Sequence, residues 1–190
     1  MKTAKKEMES LTTAREPRPF LHIQPDPRIE LPTTASEGLF ELEEMVSADV
    51  PGLVKALVGY TLSAQNRLNM WAGRRVPPSV STINRRRRAA RQWIQSILAG
   101  SVDEQTLRSV GHAWIPQLAG SGPDLHEGSA DGFACIEYIR GSVTSRIFDR
   151  EAESLVPQAK ALHAFESILA VHLAAYQRAV QASRKATQGA

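Results

Sequence analysis

Apolar residues recur every three to four positions from Ser36 to the end of the chain, and no segment shows the strict alternation of a half-buried strand. This spacing predicts an all-α domain over residues 36–186, followed by a short tail at 187–190. Proline and glycine positions divide the pattern into about six helices. The predicted helices span residues 36–48, 52–72, 79–99, 101–114, 128–148 and 155–185.

Residues 1–35 contain five of the eleven prolines and show no sustained period. Prolines at this density disfavour both helix and sheet, so we expect an extended N-terminal arm. Its scattered apolar residues favour an arm that docks on the domain or on a partner.

The short helix over 101–114 has clear end signals in the sequence. Ser101 and Glu104 have the spacing of a capping box, in which each side chain accepts from the other residue's amide. Pro116 lacks an amide hydrogen and disfavours a helical conformation at Ile115, so we expect the helix to end near Trp114.

The order of these helices resembles a known family. A helix containing Tyr60 and Trp71, a helix reading RQWIQSILAG, a short helix ending VGHAW and two long helices are similar to the B, E, F, G and H helices of globins. The segment over 91–125 resembles the E–F region of bacterial sensor globins. The resemblance implies a globin-like bundle that regulates a protein partner, with a pocket for a small apolar or anionic ligand. The implied pocket residues are Tyr60, Trp71, Trp93 and His172.

The same resemblance bears on haem. The position that holds the iron-ligating histidine in sensor globins falls on Trp114, whose indole nitrogen has no free lone pair. His112 lies two residues earlier, a rotation of about 200° around a helix. We therefore expect a domain without haem or another cofactor. A haem-binding sensor that uses His112 in a shifted alignment, with Trp114 beside the haem, is the alternative.

The charge distribution suggests a binding surface. The formal net charge is only +3, but no carboxylate occurs between Asp49 and Asp103. Arg87 is expected to lean toward the core, and the other arginines of this interval to face solvent. A protein partner, acidic in character, is the first interpretation, and a basic module for nucleic acid is the alternative. The predicted partner-binding residues are Arg85, Arg86, Arg87, Arg88 and Arg91.

Other function classes find little support in the sequence. There is no signal peptide and no apolar run long enough to span a membrane, so a cytoplasmic location is expected. No nucleophile elbow, metal-binding spacing or phosphate loop appears, so we expect no enzyme.

Cys135 is interpreted as a buried apolar residue. The last helix exceeds the needs of one small core, which favours a homodimer through the last two helices. One loop cluster is best explained as a hydrophilic turn: Asp124, His126, Glu127 and Asp131.

Overall fold

The structure is a computed structural model that describes residues 31, 33–73, 77–120, 125, 128–149 and 155–188. Within these ranges all regular structure is helical and no strand occurs, which confirms the predicted all-α class. The α-helices are α1 (Thr33–Glu37), α2 (Leu39–Val46), α3 (Val50–Trp71), α4 (Val80–Leu98), α5 (Glu104–Ser109), α6 (Ile115–Ala119), α7 (Ser129–Asp149) and α8 (Val156–Gln188). A 3₁₀ turn (Ser47–Asp49) precedes α3, and a π-helical turn (Val110–Trp114) joins α5 to α6.

The boundaries of α4 follow local sequence rules. The Oγ of Ser79 accepts a hydrogen bond from the amide of Thr82 at 3.2 Å and caps the helix. Gly100, which follows the helix, adopts φ +62°, a conformation that glycine reaches without steric cost. Both ends agree with the sequence prediction.

The long helix α8 is the element around which the others pack. It contacts α1, α2, α4, α5, α7 and the π-helical turn, and it buries its apolar face against them. The core is continuous from α2 through α8. It includes Cys135, the single cysteine of the sequence, which is buried. The largest fully buried apolar side chains include Trp93, Tyr176, Phe165, Leu42, Leu53 and Leu57.

Two expectations for the region around α5 are wrong. The cap of α5 is Asp103, whose carboxylate accepts hydrogen bonds from the amide of Thr106 at 2.9 Å and from its hydroxyl at 2.6 Å. The chain also stays helical past Pro116 and ends at Gly120, which has φ +75°. Pro116 is tolerated because the preceding turn is π-helical, and because a proline fits the first turn of α6.

The ends of the chain fall largely outside the described residues. Of the predicted arm, residues 1–30 and 32 lie outside them, and 33–35 belong to α1 rather than to an extended segment. At the other end α8 continues to Gln188, so the first half of the predicted tail is helical. None of the helices in the described ranges has the length and apolar character that crossing a membrane requires.

Candidate functional site

The segment VGHAW, which carries the globin resemblance, forms the π-helical turn. The amide of Ile115 bonds the carbonyl of Val110, five residues back, and this wider turn interrupts the α-helical pattern. The side chain of His112 is exposed, whereas Trp114 is half-buried and packs against the core. His112 and Trp114 therefore lie in different environments, one in solvent and one at the core edge.

His172 is the most constrained polar residue of the core. It is fully buried on α8. Its Nδ1 accepts a hydrogen bond from Nε1 of Trp93 at 3.3 Å, and its Nε2 lies 2.9 Å from the carbonyl oxygen of Ser101. Because the indole can only donate, Nδ1 is the acceptor and Nε2 carries the proton that it donates to Ser101. Both ring nitrogens are thus engaged.

Burial lowers the pKa of His172, although the hydrogen bond to Ser101 and the charge of Asp103 raise it in part. The neutral imidazole ties α8 to α4 and to the segment between α4 and α5. The arrangement is that of a satisfied core histidine.

The four predicted pocket residues are not gathered in one place. Trp93 and His172 are in direct contact, as described above. Tyr60 stacks on Tyr138 of α7, with ring centroids 4.4 Å apart and an interplanar angle of 17°. Trp71 is 91% exposed at the end of α3. Two of the four therefore belong to the core, one to a helix contact and one to the surface.

The arginine run on α4 divides between surface and interior. Arg85, Arg87, Arg88 and Arg91 are exposed, but Arg86 is only 2% exposed. The expectation that Arg87 leans toward the core is wrong by one residue. The buried stripe of α4 passes through positions 86, 90, 93 and 97, which is the i, i+4, i+7 progression of one helix face.

The guanidinium of Arg86 is incompletely satisfied. Its Nη2 donates a hydrogen bond to Oε1 of Gln65 on α3. Its Nε and Nη1 are buried and find no hydrogen-bond partner in the described part of the chain. No carboxylate described by the structure lies within ion-pair distance of it, and burial lowers its pKa.

Cys135 and Asp131 of α7 lie within electrostatic range of this guanidinium. Burial and the charge of Asp131 raise the pKa of Cys135 to about 12, and the positive charge of Arg86 opposes that rise. The thiol is therefore neutral, in keeping with the interpretation of Cys135 as a buried apolar residue. A neutral thiol does not balance the charge of Arg86.

A cleft of about 290 Å³ lies between the end of α3 and the start of α4. Its described walls combine amides and hydroxyls with three apolar side chains, and no charged residue is among them. Gln65 belongs to this wall and also accepts the hydrogen bond from Arg86, so the buried guanidinium lies directly behind the cleft. The lining residues are Leu62, Gln65, Asn66, Asn69, Pro77, Pro78, Ser79 and Thr82.

Exposed apolar side chains surround the same end of the bundle. Trp71, Met70 and Leu68 at the end of α3 are 91%, 60% and 56% exposed, and Val80 at the start of α4 is 74% exposed. We call these four residues the α3–α4 face, because they share this end of the bundle, although Leu68 and Met70 point about 200° apart around α3. Neither helix contains a carboxylate, and the arginines of α4 extend from this end. The globin resemblance implied a pocket position for Trp71, although its place beside Gly73 and the prolines at 77–78 marks a helix end.

No known protein family, curated protein or solved structure matches this chain significantly. Within the described residues no group of three or more histidine, cysteine or carboxylate side chains is placed to hold a metal ion. Three members of the predicted loop cluster, Asp124, His126 and Glu127, lie outside those residues.

Proposed function

We propose that this chain is a non-enzymatic, globin-like regulatory domain that acts without haem and binds an acidic protein partner through the α3–α4 face. The observation that carries the proposal is the exposure of Trp71, which is 91% accessible to solvent beside other exposed apolar residues. A single exposed apolar residue needs no explanation, but several at one end of a bundle, a tryptophan among them, are typical of an interaction surface.

The composition of the face fits a protein interface. Tryptophan and arginine are the residue types that most often dominate binding energy, and apolar centres are commonly surrounded by a polar rim. Here Trp71, Leu68 and Val80 supply the apolar centre, while Arg67 and Arg85 are exposed cations on the same two helices. The described ion pairs of the chain involve none of the α3 or α4 cations, which leaves this charge available to an acidic partner.

Nucleic acid remains the alternative partner, and the structure gives it less support. Arg86 is withdrawn into the core, so the run of four arginines presents three to solvent. The α3–α4 face offers one exposed aromatic ring, whereas single-stranded nucleic acid is usually bound by several aromatic rings in succession.

The donor set supports a domain without haem. Haem iron needs an axial ligand with a free lone pair inside the bundle. Both nitrogens of His172 are hydrogen-bonded, His112 is exposed, and Trp114 occupies the position that the resemblance assigns to the ligand. None of these three residues therefore offers haem a free axial ligand inside the bundle. The order and relative lengths of α3, α4, α5, α7 and α8 support the globin-like part of the proposal.

We also propose that the domain forms a homodimer, with the contact near the junction of α7 and α8. The apolar stripe of α8 packs within its own chain and is not available to a second copy. Phe148 near the end of α7, Leu155 just before α8 and Val156 at its start are 53%, 73% and 61% exposed, so a second copy could cover these large apolar side chains.

The partner proposal is tested by capture from an extract of the native cells with wild type, Trp71→Ser and Phe148→Ser as bait. All three proteins should fold equally well, since both substituted side chains are exposed. We expect wild type and Phe148→Ser to retain one or more acidic proteins, released by high salt and unaffected by nuclease, and Trp71→Ser to lose them. Identical capture by all three baits contradicts the proposal, and nuclease-sensitive capture supports the nucleic-acid alternative.

An absorption spectrum of the purified protein tests the proposal that the domain acts without haem, and a strong Soret band overturns it.

A further inference from the structure

Arg86 is a buried cation with no carboxylate of the described residues within ion-pair distance, although the charge of Asp131 acts on it at longer range. It is 2% exposed, two of its three nitrogens have no described hydrogen-bond partner, and its one acceptor is the neutral amide of Gln65. A buried, incompletely bonded charge costs several kcal/mol of folding free energy unless something compensates it. A purely structural role does not explain an arginine at position 86, since a leucine or methionine there would avoid this cost in folding free energy.

The guanidinium lies one side chain away from solvent. Gln65 separates it from the cleft between α3 and α4, and Gln65 is only half-buried. Nη2 of Arg86 lies between Gln65 and Gly120 at the end of α6, so rotation of the Gln65 side chain away from it would free one side of this nitrogen. Gln65 is thus the side chain through which a ligand in the cleft would reach the buried charge.

We infer that Arg86 anchors a binding site for a small monocarboxylate, which enters the cleft between α3 and α4 and replaces Gln65 Oε1 as the acceptor of the guanidinium. This inference is independent of the partner proposed above, because it concerns a small molecule and a buried residue. It adds a ligand whose binding neutralises an interior charge next to the α3–α4 face.

The cleft and the charge together select this class of ligand. A carboxylate matches the planar guanidinium and balances one positive charge with one negative charge. A phosphate dianion would bring two charges to one buried cation, and the described residues of the cleft lining include no second cation to receive the other. Leu62, Pro77 and Pro78 provide apolar contacts for the body of the ligand, and the amides of Asn66 and Asn69 can hydrogen-bond a polar substituent. A cleft of 290 Å³ accommodates a molecule of the size of benzoate.

The test is isothermal titration of the full chain with sodium benzoate, sodium acetate and inorganic phosphate, combined with thermal unfolding at each ligand concentration. The variants are Arg86→Met, which removes the buried charge at similar length, and Arg87→Met, the exposed neighbour, as matched control. We expect benzoate to bind wild type and Arg87→Met and to raise their Tm. Binding to Arg86→Met should be weaker by about tenfold or more, which corresponds to about 1.4 kcal/mol.

A second variant, Gln65→Glu, places a carboxylate of the protein itself against the guanidinium. We expect this variant to have a higher Tm than wild type without ligand, and to show no further rise with benzoate. The inference is overturned if neither carboxylate binds wild type, if Arg86→Met and Arg87→Met bind benzoate equally well, if phosphate binds as tightly as benzoate, or if Gln65→Glu still responds to benzoate as wild type does.

Discussion

Nε1 of Trp93 donates a hydrogen bond to Nδ1 of His172 over 3.3 Å, and this contact joins α4 to α8 across 79 positions of sequence. Both side chains are fully buried, so neither atom can turn to water if the other is removed. The pair therefore fixes how α4 and α8 lie against each other, and it sets the protonation state of the histidine as well.

Trp93→Phe should destabilise the protein by about 1–3 kcal/mol, since Nδ1 of His172 is left buried without a donor. His172→Leu should lower the free energy of unfolding by a similar amount, because the indole N–H of Trp93 is then buried without an acceptor. Chemical denaturation of both variants and of the double variant measures their coupling, which we expect to be about 0.5–3 kcal/mol. Trp71→Phe is the control with no expected effect, since that ring is exposed. Strict additivity of the two core substitutions would show that the hydrogen bond contributes nothing.

His172 should make stability depend on pH. Burial lowers its pKa below the ordinary value of 6.5, so the unfolded chain binds the proton first as the pH falls. The stabilisation that the neutral His172 side chain provides is complete above pH 6.5, and it decreases as the pH falls from there toward the lowered pKa. Urea denaturation between pH 7.5 and about 5.5 should show this decrease in wild type and a clearly smaller one in His172→Gln. His112→Gln is the matched control: the pKa of His112 is also lowered, first by burial and then by Arg108, but its side chain is exposed. A wild-type slope retained in His172→Gln assigns the effect to another group.

The sequence predicts the helices well because their signals are local. Ser79 caps α4 and Gly100 follows its end. The apolar residues of the neighbouring helices also recur with the helical period. Each of these signals depends on only a few adjacent residues. The resulting boundaries of α3, α4, α7 and α8 lie within a few residues of the structure.

The candidate site is predicted less well because it depends on contacts between helices. Which of two adjacent arginines enters the core is decided by the phase of α4 against α3, and a difference of one residue exchanges Arg86 with Arg87. Likewise the apolar pattern of α3 continues to Trp71, although this side chain is 91% exposed and no helix of the described residues covers it. Periodicity shows which residues share a face of a helix, and tertiary packing decides how far along the helix that face is buried.

Gly132→Ala should destabilise the protein by about 1–3 kcal/mol. A Cβ at Gly132 would overlap the hydroxyl and ring of Tyr176, a fully buried residue of α8, so α7 and α8 would have to separate. Gly141→Ala is the control on the same helix, because a Cβ there meets open space. It should stabilise by about 0.5–1 kcal/mol through helix propensity alone. Thermal unfolding of both variants measures the difference, and equal effects would contradict the close approach of α7 and α8.

The start of α5 offers the last prediction, since the capping box expected from the sequence and the cap in the structure use different residues. Asp103→Ala should cost about 0.5–2 kcal/mol, because the amide and hydroxyl of Thr106 lose their acceptor. Ser101→Ala should change stability little, since the structure engages the backbone of Ser101, through His172 and Ser96, rather than its hydroxyl.

The Asp103 cap also has a pH signature. The hydrogen bonds from Thr106 lower the pKa of Asp103 below its ordinary value of 3.8. The stabilisation is therefore present above that value and is lost as the pH falls from it toward the lowered pKa. Denaturation of wild type, Asp103→Ala and Ser101→Ala at neutral and acidic pH checks both points. A larger loss in Ser101→Ala than in Asp103→Ala would restore the capping box and reject the Asp103 cap.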